Sequence, residues 1–145
     1  MKNMTVEQFA MQTASNEPVP GGGSISALAG ALAAALTEMV AGLEIARNKP
    51  SVQRQKMFYW EKKGNSVAEI DYLEIVNLKP TPIEVKSGTQ GGMKSLWLFM
   101  REKHLTDAIR CSLENFGEFE YIDNQDNDAV RYVRILPLYA ISQLS

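Results

Sequence analysis

Histidine and cysteine each occur once in the 145 residues, as His104 and Cys111. A lone cysteine excludes an intrachain disulfide and suits a reducing, cytoplasmic compartment. A lone histidine excludes a His-rich metal centre. A Cys–His nucleophilic pair is arithmetically allowed, but Cys111 lies in an apolar, strand-like run with no orienting motif and reads as core filling. Neither sign of charge is in excess, with 15 Lys and Arg against 17 Asp and Glu, so the overall balance does not demand nucleic acid. No internal repeat is visible. The length excludes a large multidomain machine, and 45% hydrophobic with 22% charged residues is an ordinary globular composition able to bury a core.

The charge that is present is unevenly spread. Residues 1–43 carry Lys2 against Glu7, Glu17 and Glu38, whereas the remainder is balanced. One basic patch, Arg47, Lys49, Arg54, Lys56, Lys62 and Lys63 against Glu61, can meet phosphates or form a solvated face. The one long apolar run, residues 25–43, is mostly Ala and Gly, carries Glu38 and has no flanking Lys/Arg cluster on its N-terminal side. It is not expected to span a membrane, and it begins too late, after a Pro-Gly turn, for a signal peptide.

Periodicity sets the elements. Thr5 with Gln8 makes a capping-box pattern for a short helix over residues 5–14. Two prolines and three glycines in residues 16–23 make a loop. Ser24 can cap the next helix, whose Ile25, Leu28, Leu32, Leu36, Met39, Val40 and Leu43 form one stripe and whose Ala27, Ala31, Ala34, Ala35 and Gly42 form another. Both faces want burial, in a bundle or in a self-association interface. Composition breaks at residues 47–51, the expected boundary. Beyond it, residues 57–61, 67–76 and 82–86 read as an antiparallel meander, with Ala68, Ile70 and Tyr72 on one side of the second strand and Glu69, Asp71 and Leu73 on the other. Gly64-Asn65 makes the first turn and residues 77–80 the second. Met93, Leu96, Trp97 and Met100 mark an amphipathic helix to about residue 103. Further strands are expected at 107–112, 119–122 and 130–135, and a last helical turn at 138–144.

Chemistry concentrates on the meander. Alternation puts Glu84 and Lys86 on one face while Ile83 and Val85 point to the core, and Asp71 on the neighbouring strand can come beside them. Two carboxylates and a lysine suit a hard cation such as Mg²⁺, with Asp71 and Glu84 as ligands and Lys86 orienting water or stabilising phosphate charge. The competing reading is a cross-strand charge cluster on a solvated face. The stretch from Gly88 to Ser95 has the Lys-Ser ending of a phosphate-binding loop, but Met93 stands where a glycine must let the backbone wrap the phosphate, so no ATP site is expected.

Ala68-Glu69-Ile70-Asp71-Tyr72 followed by Pro82-Ile83-Glu84-Val85-Lys86-Ser87-Gly88 resembles the PD-(D/E)xK nuclease superfamily. With Phe58-Tyr59-Trp60-Glu61, Lys94-Ser95-Leu96, Asn115-Phe116-Gly117 and the ending Ile135-Leu136-Pro137-Leu138-Tyr139-Ala140, it is similar to the C-terminal domain of unknown function of bacterial AAA-type ATP-binding proteins. The resemblance implies a restriction-endonuclease-like fold and Asp71, Glu84 and Lys86 as catalytic residues. Related nucleases often add an acidic residue on a helix before the first strand, for which Glu61 is the candidate substitute. Phe9, Pro18-Val19-Pro20-Gly21-Gly22-Gly23-Ser24, Ala27-Leu28-Ala29-Gly30-Ala31-Leu32 and Met39-Val40 resemble instead the first two helices of the folate cyclodeaminase/cyclohydrolase family, all-helical enzymes acting on formimino- or methenyl-tetrahydrofolate. There Gly21, Gly22, Gly23 and Ser24 would offer backbone N–H groups to an anion such as a folate glutamate tail; the alternative is a structural turn.

The expected architecture is α+β: a helical hairpin in an arm over residues 1–46, a linker over 47–55, and over 56–145 a small mixed sheet of about five strands with one or two helices. The expected partners are Mg²⁺, nucleic acid at the basic patch and a second copy at the Ala-rich helix. Folate is not expected as a working cofactor of so short a segment, and the alternatives to a nuclease-like module are a folate-linked fragment or a non-enzymatic interaction module. A recombined reading frame would leave the same join between unrelated motif sets.

Overall fold

Thr5 begins the first helix through a reciprocal capping box: Gln8 N–H donates to Thr5 Oγ1 at 3.1 Å, and Thr5 N–H donates to Gln8 Oε1 at 2.9 Å. Helix α1 then spans Val6–Thr13 and buries none of its residues. The computed structural model describes residues 3–47, 49, 56–64, 68–87 and 92–144. Two compact units comprise Met1–Leu36 and Thr37–Ser145. The composition break at 47–51 falls in the second unit; of the expected linker only residues 47 and 49 are among those described, and Asn65 of the expected first turn is not.

Helix α2, Gly22–Arg47, belongs to both units. It starts two residues before the expected Ser24 cap, because the Gly21 carbonyl already accepts from Ser24 N–H at 2.9 Å and Ile25 N–H at 3.3 Å. Within this chain Leu32, Leu36, Met39 and Leu43 stay more than half exposed, and of the helix only Ala41, Gly42 and Ile45 are buried. The chain beyond α2 folds as a sheet, which meets one stripe of the helix's last turns. By length and composition alone α2 could also cross a membrane.

Among the described residues the second unit holds a mixed sheet of six strands, in the order β1-β2-β3-β4-β6-β5. They span Phe58–Lys62, Ala68–Val76, Lys79–Val85, Asp107–Ser112, Gly117–Asp123 and Ala129–Pro137. β1, β2 and β3 run antiparallel in sequence, β4 lies parallel to β3 and to β6, and β5 closes the far edge antiparallel to β6. The parallel step from β3 to β4 needs a crossover, and α3, Lys94–Glu102, provides it.

Strand β3 starts at Lys79, three residues earlier than expected, because Asn77 and Leu78 alone make the turn at φ 50° and 64°. Its two prolines are tolerated since β3 pairs with β4 only at Ile83, Glu84 and Val85, leaving Pro80 and Pro82 on a free edge where a missing N–H costs no ladder bond. The expected alternation in β2 fails at one point. Trp60 pairs with Ile70 but Phe58 with Leu73, so β2 carries a bulge at Asp71 and Tyr72. Ile70 consequently joins Leu96, Phe99, Met100, Ala108 and Val133 under α3, while Tyr72 packs on the opposite cluster of Ala41, Ile45, Val76, Ile83, Val85, Ile109, Cys111 and Ile141. That second cluster is covered by the end of α2 and by a 3-10 helix, Leu138–Gln143.

Candidate functional site

Bulges re-aim side chains, and this one turns the Asp71 carboxylate toward β3, where Oδ2 accepts the Val85 N–H at 2.6 Å. The β2–β3 ladder has ended just before, at Tyr72 opposite Ile83, so the side chain replaces a strand partner. On β3 the alternation holds: Ile83 and Val85 enter the core, and Lys86 Nζ stands 2.9 Å from Glu84 Oε1. The three residues singled out in the sequence therefore lie together on adjoining strands.

Their surroundings are half dry. Glu84 is 3% exposed, and its second oxygen, Oε2, is buried with no hydrogen-bond partner among the described residues. Burial raises the Glu84 carboxyl above its ordinary value; Lys86 opposes the rise, Asp71 adds to it, and Arg110 on the register-matched position of β4 opposes it. Burial also raises Asp71, against the pull of the Val85 N–H and Lys86 and with Glu69 pushing the same way as burial. A buried carboxylate oxygen without a donor is costly unless a cation or proton satisfies it. The pair therefore fits a Mg²⁺ ion in the chemistry of its donors: Mg²⁺ keeps several waters and commonly takes only one or two protein carboxylates. Among the described residues no three His, Cys, Asp or Glu side chains form a ready-made cage.

One α2 residue is electrostatically coupled to this group. Glu38 is raised by burial, then by Asp71 and Glu69, with Lys86 opposing. Sequence reasoning passed over it, although it is the single charge in an otherwise uncharged stretch of helix. Glu61, the expected substitute, is a β1 residue whose carboxylate lies 3.7 Å from Lys63.

The other sequence candidates lie elsewhere. Gly21 ends the loop and Gly22, Gly23 and Ser24 form the first turn of α2. Within this turn Ser24 N–H donates to the Gly21 carbonyl at 2.9 Å, no acidic side chain occupies it, and a Cβ at Gly22 or Gly23 would meet nothing within 4 Å. The basic patch is largely ion-paired. Arg47 meets Glu44, Lys49 meets Glu74 at 2.6 Å, and Lys62 meets Glu102; Arg54 lies outside the described residues. Cys111 is fully buried in the core, and burial pushes its thiol up to about 11. Of the phosphate-loop look-alike, Gly88 to Gly91 lie outside the described residues. Two clefts of about 600 and 700 Å³ occur in the second unit. Neither is lined by Asp71, Glu84 or Lys86, and the convergent chemistry weighs more than volume in locating the site.

Comparison with known proteins bears on the N-terminal part. Residues 5–74 match the family model described as Formiminotransferase-cyclodeaminase, a match that continues past α2 into the strands β1 and β2. A methenyltetrahydrofolate cyclohydrolase of Methylorubrum extorquens is 47% identical over 47 residues, which is 32% of this chain and 23% of that protein. The chain thus spans about a quarter of the curated relative it matches, and its similarity is to a folate-related cyclodeaminase/cyclohydrolase family.

Proposed function

We propose that the N-terminal segment is a folate-linked element of the cyclodeaminase/cyclohydrolase type, with the loop and start of α2 receiving the anionic glutamate tail of a reduced folate. The observation that carries this is the 47% identity to a methenyltetrahydrofolate cyclohydrolase; the open first turn of α2, free of acidic residues, supports it. Deamination or ring opening by this chain alone is not part of the proposal, because the apolar stripe of α2 still needs other helices against it. Calorimetry with tetrahydrofolate and methenyl-tetrahydrofolate tests the reading. Binding is expected, and Gly22→Glu should weaken it by more than about tenfold, since a carboxylate in the first turn repels an anion while favouring the helix itself. Absence of binding by the wild-type chain would remove the proposal.

A second reading is supported by the unpartnered Oε2 of Glu84 beside Asp71 and Lys86. On it, residues 56–145 are a restriction-endonuclease-like module of the kind that stands behind AAA-type ATPases, residues 47–55 being a linker. The mixed sheet with helices on both faces supports that reading. Asp71 and Glu84 would hold Mg²⁺, which when bound polarises a phosphoryl oxygen and eases deprotonation of water. Lys86 would hold the attacking water and offset charge on the phosphate. Nucleic acid is the proposed substrate, no ATP site is proposed, and the lone cysteine supports a cytoplasmic location. No membrane role is proposed for α2, whose Ala41, Gly42 and Ile45 pack against protein. Incubation with plasmid and single-stranded DNA in Mg²⁺ tests it: cleavage is expected, abolished in Asp71→Ala. An inert wild-type protein, or cleavage that survives Asp71→Ala, would sink the catalytic version.

A further inference from the structure

A helix of nine residues, about 13 Å long, cannot cover a face of six strands that is about 24 Å wide. Helix α3 stops where His104 turns back at φ 53° and Leu105 N–H donates to the Met100 carbonyl at 2.8 Å. The β2 bulge returns Leu73 to the α3 side of the sheet, already held by Ile70. Phe58, paired with Leu73, and Ile75, two residues on, share that side, yet they remain 60% and 64% exposed. With Leu73, Trp60, Phe99 and Leu105 they line a cleft of about 700 Å³ past the end of α3, a size usual for small-molecule sites.

The floor of this cleft is aromatic, with the Trp60 and Phe99 rings tilted against each other at a centroid separation of 4.9 Å. Ring faces and edges favour another flat ring beyond the area it buries. Three charges stand at the rim. Lys49 and Glu74 offset each other at 2.6 Å, whereas Lys103, which caps the end of α3, has no ion-pair partner among the described residues. An apolar cleft with one unbalanced positive charge is complementary to an apolar anion.

We propose that this cleft binds a flat aromatic carboxylate, its ring against Trp60 and Phe99 and its carboxylate paired with Lys103. The site contains none of Asp71, Glu84 and Lys86 and depends on neither functional reading. The ring supplies most of the affinity through burial, and the exposed ammonium adds a smaller, charge-selective part.

Titration of the full chain with 2-naphthoate and with neutral 2-naphthalenemethanol tests the proposal. Naphthoate is expected to move the Trp60 indole N–H resonance and to leave that of Trp97, which stacks on Tyr121 at 4.2 Å outside the cleft, in place. Lys103→Gln should raise the naphthoate Kd about threefold to fivefold and leave the naphthalenemethanol Kd unchanged. Ile75→Glu should weaken both compounds, naphthoate more. Both substituted side chains are exposed, so an unchanged Tm is expected to accompany these losses. A Trp60 resonance that naphthoate leaves in place, or a Lys103→Gln loss shared equally by the two compounds, overturns the proposal. So does an oligomer that Ile75→Glu converts to monomer while the wild type ignores naphthoate, since the face then belongs to a second copy.

Discussion

Arg131 is the largest fully buried side chain, and its charge is offset by Asp123, itself fully buried, at 3.2 Å and by Asp126. Arg101 from α3 closes the cluster with a two-pronged contact to Asp123, at 2.8 and 3.0 Å. Removing one partner of a buried pair strands the other, so Asp123→Asn is expected to cost about 3–5 kcal/mol in urea unfolding. The Arg101 hydrogen bond holds the Asp123 carboxyl below its ordinary value. Its contribution is therefore complete above the unfolded value of about 4 and is lost as pH falls through the lower folded one. Wild type should lose more stability than Asp123→Asn as pH is lowered below about 4; equal losses would show that Asp123 is not held in this way. In the sequence Asp123 belongs to an acidic, turn-forming run, and its burial depends on three elements meeting, which no local pattern records. Cys111 was legible as core because an apolar run and an absent partner are both local facts.

At the level of elements, α2 carries the most consequences open to test. Gly42→Ala should destabilise the sheet unit by about 1–3 kcal/mol, the usual cost of overpacking, read by thermal or urea denaturation. Gly30→Ala, with nothing within 4 Å, should be neutral or slightly stabilising through helix propensity. The exposed Leu32, Leu36 and Leu43 invite a second copy, so light scattering should find an oligomer that Leu32→Glu with Leu36→Glu converts to monomer. A monomeric wild type would dismiss self-association. Helix α3 and strands β4 and β6 could be read from periodicity, and the joint placement of Glu84 and Lys86 followed from alternation. The β2 bulge could not be read, because an alternating sequence carries no mark of where a strand gains a residue over its neighbour.

For the molecule as a whole, a cation seated on Asp71 and Glu84 would link binding to folding. At a hundredfold excess over its Kd, Mg²⁺ should stabilise the fold by about 2.7 kcal/mol, seen as a rise in Tm that Asp71→Ala abolishes. A Tm indifferent to Mg²⁺ would count against the site as drawn. The sequence by itself determined that helix-rich and strand-rich parts succeed one another, that Ile83 and Val85 face inward while Glu84 and Lys86 share the other side, and that the N-terminal stretch is similar to a folate-related family. These are matters of period, turn chemistry and local spelling, each contained within a few residues. Only the tertiary structure decided that Asp71 is redirected by a bulge, that the Tyr72 hydroxyl beside it reaches a backbone carbonyl of a distant helix, and that Asp123 is buried between two arginines. Those outcomes depend on which strands become neighbours and where a helix comes to rest on them, relations between residues far apart in the chain that the period of any one segment does not contain.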